Sequence, residues 1–292
     1  MKSIRQVIEQ LGVNPALVTG TEILSTSHGH SIWRITTRER TFILKYFPEE
    51  QSAATEVQAY GLLQELGVPT LPLHARTSQA LLLEDLTASD VWRLATEYDV
   101  ADPRAGKAVA RWYRTLHECG AELLAGSKPA PGFLTREIDI LDKDTILSTG
   151  RLLGLADLPV WQLSVDNIDF LKDAALNLPE TLNYNDFYWT NLALSRSADP
   201  QLNAVIFDYH LLGIGLRYND CRNVAFSLQG DAVSAFWETY GATDVREQTL
   251  DKPLATLVAL VSATKLPEFP GWARRSRTVS LEVNWNEIYL RL

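Results

Sequence analysis

Eight residues and one later aspartate constrain this chain most: Tyr184-Asn185-Asp186-Phe187-Tyr188-Trp189-Thr190-Asn191, then Asp208. Asp186 and Asn191 stand five positions apart. Leu192 to Ser195 follows as a short strand pattern. Residues 196–201 read as a turn, because Asp, Pro and Ser favour tight reversals. Leu202 to Phe207 makes a second strand that ends at Asp208. Two short strands joined in this way form a hairpin. Its geometry sets the first residue of one strand beside the last of the other. Asn191 then lies next to Asp208, with Asp186 one loop away. Two carboxylates and a carboxamide converge on one small volume. Hard cations such as Mg²⁺ take oxygen ligands of this kind, usually one or two carboxylates plus substrate phosphates.

The pattern resembles the catalytic loop and metal-binding strand of the kinase fold. There an Asp accepts the substrate hydroxyl's proton, an Asn five residues on holds metal, and a later Asp holds metal. The nearer likeness is to the aminoglycoside phosphotransferase-like, or choline-kinase-like, family of small-molecule kinases. That family reads His-Gly-Asp, four residues, then Asn, with a later apolar strand ending in Asp and an aromatic. The counterparts here are Tyr184-Asn185-Asp186, Asn191 and Val205-Ile206-Phe207-Asp208-Tyr209. Tyr184 stands for the usual His, Asn185 for the usual Gly, and Trp189-Thr190 for a Pro-Gly. The three chemical side chains are kept while the loop that shapes them is changed. The resemblance implies Asp186 as catalytic base, Asn191 and Asp208 as Mg²⁺ ligands, and ATP as donor.

Composition is ordinary for a soluble globular protein. The 292 residues suffice for one large domain or two lobes with a substantial core. A formal net charge of −9 argues against nucleic acid as the main partner, since phosphate backbones demand basic surfaces. It is compatible with a cationic small substrate, although many proteins are acidic for solubility alone. Cys119 and Cys221 are the only cysteines, so neither a disulfide framework nor a zinc site is indicated. The first residues are too polar for a signal peptide, and no apolar run approaches the roughly 20 residues that span a bilayer. The cytoplasm is the expected location, with no membrane partner.

Residues 2–12 read as a short amphipathic helix, and residues 21–47 as strands. Thr21 to Leu24 leads into the small-residue stretch 25–31, followed by Ile32 to Thr37 and Thr41 to Phe47. A loop between two strands, then a strand with a lone Lys45, matches the start of a kinase N-lobe. Backbone N–H groups near Ser27 and Gly29 would cradle phosphates, and Lys45 would reach the α- and β-phosphates. Residues 49–66 read as a helix stopped by Gly67 and Pro69. Its apolar stripe runs through Ala53, Val57, Tyr60 and Leu63. Glu56 beside that stripe is the candidate partner of Lys45, with Glu49 and Glu50 as alternatives. Leu81-Leu82-Leu83 is a buried strand that meets Glu84-Asp85-Leu86. The resemblance makes Glu84 to Leu86 the hinge that holds the adenine edge.

Helical patterns dominate after about residue 88. Asp102-Pro103 caps a helix whose core face is Ala105, Val109, Trp112 and Leu116, with His117 beside it and Gly120 as its stop. Residues 164–176, 222–240 and 251–264 read as further helices, with Pro253 in the first turn of the last. Residues 279–292 carry Leu281, Trp285, Ile288 and Leu292 at helical spacing. Asp220 matches the family aspartate that starts a helix and braces the catalytic loop.

The expected architecture is α+β. It is a two-lobed protein-kinase-like fold with a small antiparallel-sheet N-lobe over 1–86 and a larger, mostly helical C-lobe over 87–292. The expected reaction moves the γ-phosphoryl group of ATP to a hydroxyl of a small molecule, such as an aminoglycoside, choline or an amino alcohol. The chain would act as monomer or homodimer. The alternative is a nucleotide-binding relative with little transfer activity, motivated by the altered loop. Trp189 either lines the acceptor pocket or packs the loop against a C-lobe helix.

Overall fold

A computed structural model of the chain describes residues 3–27, 29–127, 129–196 and 201–279, with 285, 288 and 291 beyond them. The N-terminal part carries helix α1 (Ile4–Gln10), strands β1 (Val18–Ser27), β2 (His30–Thr37) and β3 (Thr41–Tyr46), helix α2 (Glu50–Glu65), and strands β4 (Leu73–Arg76) and β5 (Ala80–Glu84). These five strands form one antiparallel sheet in the order β1-β2-β3-β5-β4.

The two-residue period of a strand decides what each face of β3 meets. Phe42, Leu44 and Tyr46 pack with Val7, Ile8 and Leu11 of the α1 segment and with Ile35 and Leu82. The alternate positions, Ile43 and Lys45, therefore point to the other face. That face is covered by α2, whose Ala53, Val57, Tyr60 and Leu63 are buried. Glu56 lies one helical turn from both Ala53 and Tyr60, so it falls inside the buried stripe and is only 1% exposed.

Strand β6 (Trp92–Leu94) follows the sheet, then the long helix α3 (Pro103–Ala125), α4 (Lys143–Leu153) and α5 (Pro159–Leu176). Strands β7 (Thr181–Asn183), β8 (Leu192–Ser195), β9 (Ala204–Ile206) and β10 (Gly213–Gly215) come next. Helices α6 (Arg217–Ser227), α7 (Asp231–Tyr240), α8 (Val245–Thr264) and α9 (Gly271–Val279) complete the described chain. The small strands make two sheets, β6-β8-β9 and β7-β10. One core joins α2, α3 and the β7–β10 region; another joins α4, α5 and α8 through Ile146, Trp161, Ile168 and Leu257. Among the described residues no helix is long and apolar enough to cross a membrane.

Several expectations need correction. The loop expected over 25–31 is strand to Ser27 and again from His30, with Gly29 at φ 77° just before the second strand. Gly120 does not stop α3, which runs on to Ala125. A Cβ at Gly120 would lie 2.4 Å from the Leu182 nitrogen, so glycine is there to let α3 cross β7 closely. The helix expected over 222–240 is two helices, broken around Gly230 at φ 51°. The helix expected from 251 starts at Val245, capped by Asp244, so Pro253 is interior rather than in the first turn. The helix expected over 164–176 begins at Pro159, and α4 and β6 had no clear sequence signal. Residues 197–200 of the turn expected over 196–201, His28, and most of the helix expected over 279–292, Leu281 and Leu292 included, fall outside the described residues; Trp285 and Ile288 are buried in the second core.

Candidate active site

The strand alternation that turns Lys45 away from Leu44 delivers it to two acidic neighbours. Lys45 Nζ lies 2.6 Å from Glu56 Oε2 and 2.9 Å from Asp208 Oδ1. Burial works against the ammonium, yet Glu56 and Asp208 outweigh it and push the Lys45 pKa up. Burial pushes the Glu56 carboxyl up, with Lys45 pulling the other way. Breaking such a buried pair by removing one partner typically costs about 3–5 kcal/mol.

Asp208 also accepts a hydrogen bond from His210 Nδ1 at 2.8 Å. Burial opposes its charge, but His210 and Lys45 together hold its carboxyl well below the usual range. The hydrogen bond to Asp208 pulls the His210 imidazole upward. His210 had no assigned role in the sequence. The signal available was its place two residues past the strand-ending aspartate.

The hairpin forms, one residue off the simple register. Leu192 pairs with Ile206, and Phe207 N–H donates to the Asn191 carbonyl at 3.0 Å. Asn191 thus faces Phe207, and Asp208 leaves the ladder in left-handed geometry at φ 69°. Asn191 ends a short 3₁₀ turn, Trp189–Asn191, and its Nδ2 donates to Asp186 Oδ2 at 3.2 Å. Burial pushes the Asp186 carboxyl up; Asp208 adds to this, while His210 and Asn191 oppose it.

The altered loop residues have defined partners. Tyr184 is fully buried and its hydroxyl donates to the Phe207 carbonyl at 2.6 Å, tying the loop to the end of β9. Its ring meets Tyr209 edge-on at 6.0 Å, and Tyr209 meets Tyr60 of α2 at 4.8 Å. A stack of buried tyrosines therefore links the catalytic loop to the helix that carries Glu56. Asn185 adopts φ 68°, the left-handed geometry that glycine gives most easily and Asn tolerates better than most. Its Nδ2 donates to the Leu211 carbonyl at 3.1 Å and its Oδ1 accepts from Asn219 at 3.0 Å.

Asp220 fixes the loop from below. It is wholly buried and accepts from Tyr184 N–H at 2.8 Å and Asn185 N–H at 2.9 Å. His117 Nε2 lies 3.1 Å from the same carboxylate, and its Nδ1 is 2.7 Å from the Tyr240 hydroxyl.

The remaining candidates are placed less centrally. Ser27 ends β1, and its side chain is outside the described part. Glu84 ends β5 and pairs with His74 at 3.0 Å. The Leu86 carbonyl accepts from Arg196 at 3.3 Å, and between them Asp85 accepts from Thr87 and Arg34. Trp189 is half-buried, while Tyr188 beside it is exposed.

Comparison with known proteins fits this geometry. The sequence matches the phosphotransferase enzyme family, APH, over residues 19–252, and the chain belongs to that family. No curated protein is similar in sequence. Among solved structures, the ADP-bound aminoglycoside phosphotransferase APH(2'')-Ib superposes with a TM-score of 0.64 at 11% identity, covering 97% of each chain. The choline kinase LicA of Streptococcus pneumoniae gives 0.60 at 14%, covering 96% of each. The ethanolamine kinase of Plasmodium vivax gives 0.58 at 13%, covering 99% of this chain and 89% of its own. At these identities the likeness is one of fold: an antiparallel-sheet N-lobe over a helical C-lobe, the protein-kinase-like arrangement.

Proposed function

We propose that the chain transfers the γ-phosphoryl group of ATP to a hydroxyl of a small molecule. The observation that carries this reading is the meeting of Lys45, Glu56, Asp208, Asn191 and Asp186, drawn from β3, α2 and both arms of the hairpin, at one site. Lys45 stands where it can hold phosphate oxygens, with Glu56 fixing its ammonium. Asp186 is oriented by Asn191 Nδ2, and its burial favours proton acceptance from the acceptor hydroxyl. Positioning and charge neutralisation supply most of the catalysis in such reactions.

The donor set fits Mg²⁺. Asp208 remains ionised, Asn191 offers an amide oxygen, and both are hard oxygen donors. Among the described residues no group of three or more His, Cys, Asp or Glu is arranged to hold a metal. Mg²⁺ ordinarily takes one or two protein ligands and completes its shell with phosphates and water. When bound, Mg²⁺ would neutralise charge on the phosphates. The backbone of Glu84 to Leu86 is the candidate adenine contact, and the turn carrying Gly29 the candidate phosphate cover.

Calorimetric titration with ATP, with and without Mg²⁺, tests the nucleotide half of this reading. ATP consumption across a panel of amino alcohols, sugars and aminoglycosides tests the transfer half. Binding without turnover on any acceptor would favour a nucleotide-binding relative; no binding would end the reading.

A further inference from the structure

The segment between β5 and β6, Asp85 to Val91, leads out of the N-lobe sheet without a helix or strand of its own. Four of its N–H bonds close on the segment itself. Thr87 N–H donates to Asp85 Oδ1 and Ala88 N–H to the Asp85 carbonyl, both at 3.0 Å. Val91 N–H donates to Ser89 Oγ at 3.3 Å, and Trp92 N–H, the first of β6, to the same oxygen at 3.2 Å. The carbonyls of Leu86, Ser89, Val91 and Trp92 turn to β8 instead.

One residue meets all four. Arg196 directly follows β8 and is exposed overall. Its Nε–H is shared between the Ser89 carbonyl at 2.8 Å and the Trp92 carbonyl at 2.9 Å. Its Nη2 donates to the Leu86 carbonyl at 3.3 Å, and its backbone N–H to the Val91 carbonyl at 2.8 Å. A guanidinium presents its donors in a rigid planar fork, so it fixes several acceptors relative to one another. The front of the segment is held from the other side. Arg34 of β2 donates to Asp85 Oδ2 at 2.9 Å, and Asp85 is buried.

The fastening continues to the reaction centre. β6 pairs with β8 from Trp92–Ser195 to Leu94–Ala193, and Ala95 N–H donates to the Leu192 carbonyl at 2.8 Å. Leu192 follows Asn191 and pairs with Ile206, two residues before Asp208. The four residues of β8 span about 13 Å. Apolar contacts run alongside: Leu86 and Trp92 pack on the buried cluster of Leu71, Ala193 and Val205.

In the phosphotransfer reading, on which this inference rests, Glu84 to Leu86 meets adenine while Asn191 and Asp208 hold the phosphate-bound ion. We propose that Arg196 is a positioning residue for the nucleotide: by gripping the Leu86, Ser89 and Trp92 carbonyls it sets the spacing between the adenine end and the metal end of the site, without touching ATP. Two contacts held at a matched spacing bind a two-ended ligand far more tightly than either contact binds its own half, and the gain falls when the spacing wanders.

The test is titration of the full chain, without acceptor, with MgATP, with adenosine and with magnesium tripolyphosphate, read by calorimetry and NMR. Arg196→Met removes the guanidinium and keeps an apolar stem. It should bind MgATP about ten- to a hundredfold more weakly than wild type. Adenosine and magnesium tripolyphosphate should each stay within about twofold of wild type, since each uses one end and Arg34 still holds Asp85 to the sheet. Arg196→Lys keeps the charge without the fork, so it should fall between, and it serves if the methionine variant does not fold. A role in stability alone would lower the melting temperature and leave all three affinities unchanged, and that result overturns the proposal. A loss of adenosine or tripolyphosphate affinity as large as the MgATP loss also overturns it, because Arg196 would then act within one end of the site. Both results leave phosphotransfer standing, since wild type binds MgATP in each. No MgATP binding by wild type fails the phosphotransfer reading itself, and the proposal with it.

Discussion

Replacing Asp220 by alanine should unfold much of what holds the catalytic loop. The carboxylate is wholly buried and satisfies Tyr184 N–H at 2.8 Å, Asn185 N–H at 2.9 Å and His117 Nε2 at 3.1 Å. Each donor left unsatisfied in the interior costs about 1–3 kcal/mol. Three donors together give about 3–9 kcal/mol, with the lower end holding if water enters the vacated space. A domain's whole stability is about 5–15 kcal/mol, so the loss would be severe. Asn185 also sits at φ 68°, and its pinned N–H is part of what holds that geometry. Urea unfolding, followed by tryptophan fluorescence and far-UV circular dichroism in parallel, reads the change if both probes coincide. Asp220→Asn keeps one acceptor oxygen and should lose roughly half as much. A fall of less than about 1 kcal/mol for Asp220→Ala would show that the brace is not where the loop gets its support.

Gly120→Ala should destabilise the protein, although alanine is the better helix former by about 0.8–1 kcal/mol. The added Cβ would meet the Leu182 nitrogen at 2.4 Å and Thr181 Oγ1 at 2.5 Å, and a thermal melt at or above wild type would contradict that packing. Lys45→Ala should cost about 3–5 kcal/mol near neutral pH by stranding Glu56. Without Lys45 the Glu56 carboxyl is raised further in the folded state. A raised folded value makes the folded form bind the proton first, so the stability it contributes is present at low pH and lost as pH rises. The gap to wild type should therefore be narrower at about pH 5 than at about pH 8, and a gap independent of pH would refute the pairing.

Lys45 was legible because a strand alternates, so an isolated lysine among leucines must leave the apolar face. Glu56 was legible because its spacing from Ala53 and Tyr60 is that of one helix face. Asp186, Asn191 and Asp208 were legible by their order and spacing. The hairpin register was not, because the 3₁₀ turn ending at Asn191 and the left-handed residue at Asp208 each shift the simple pairing. Gly120 and Pro253 were misread for a common reason. Local propensity marks both as breakers, but α3 needs glycine to cross β7, and α8 carries its proline with eight residues ahead of it. The 25–31 stretch is rich in residues that fit either a loop or a strand, and only pairing with β2 decides between them. His210 contacts Asp208 only two residues away, but a lone histidine after a strand end does not show which way its ring turns until the left-handed backbone at Asp208 is known.

The most direct test of the central claim compares wild type with Asp186→Asn using ATP labelled in the γ-phosphoryl group, at saturating Mg²⁺ and acceptor. The two proteins should bind ATP with equal affinity, and the label should appear on the acceptor hydroxyl in wild type. General-base help is worth roughly 10²–10⁴-fold, so transfer by Asp186→Asn should fall by that factor. Label transfer at the same rate in both proteins would contradict the assignment of Asp186, and no transfer by wild type to any acceptor would contradict phosphotransfer itself.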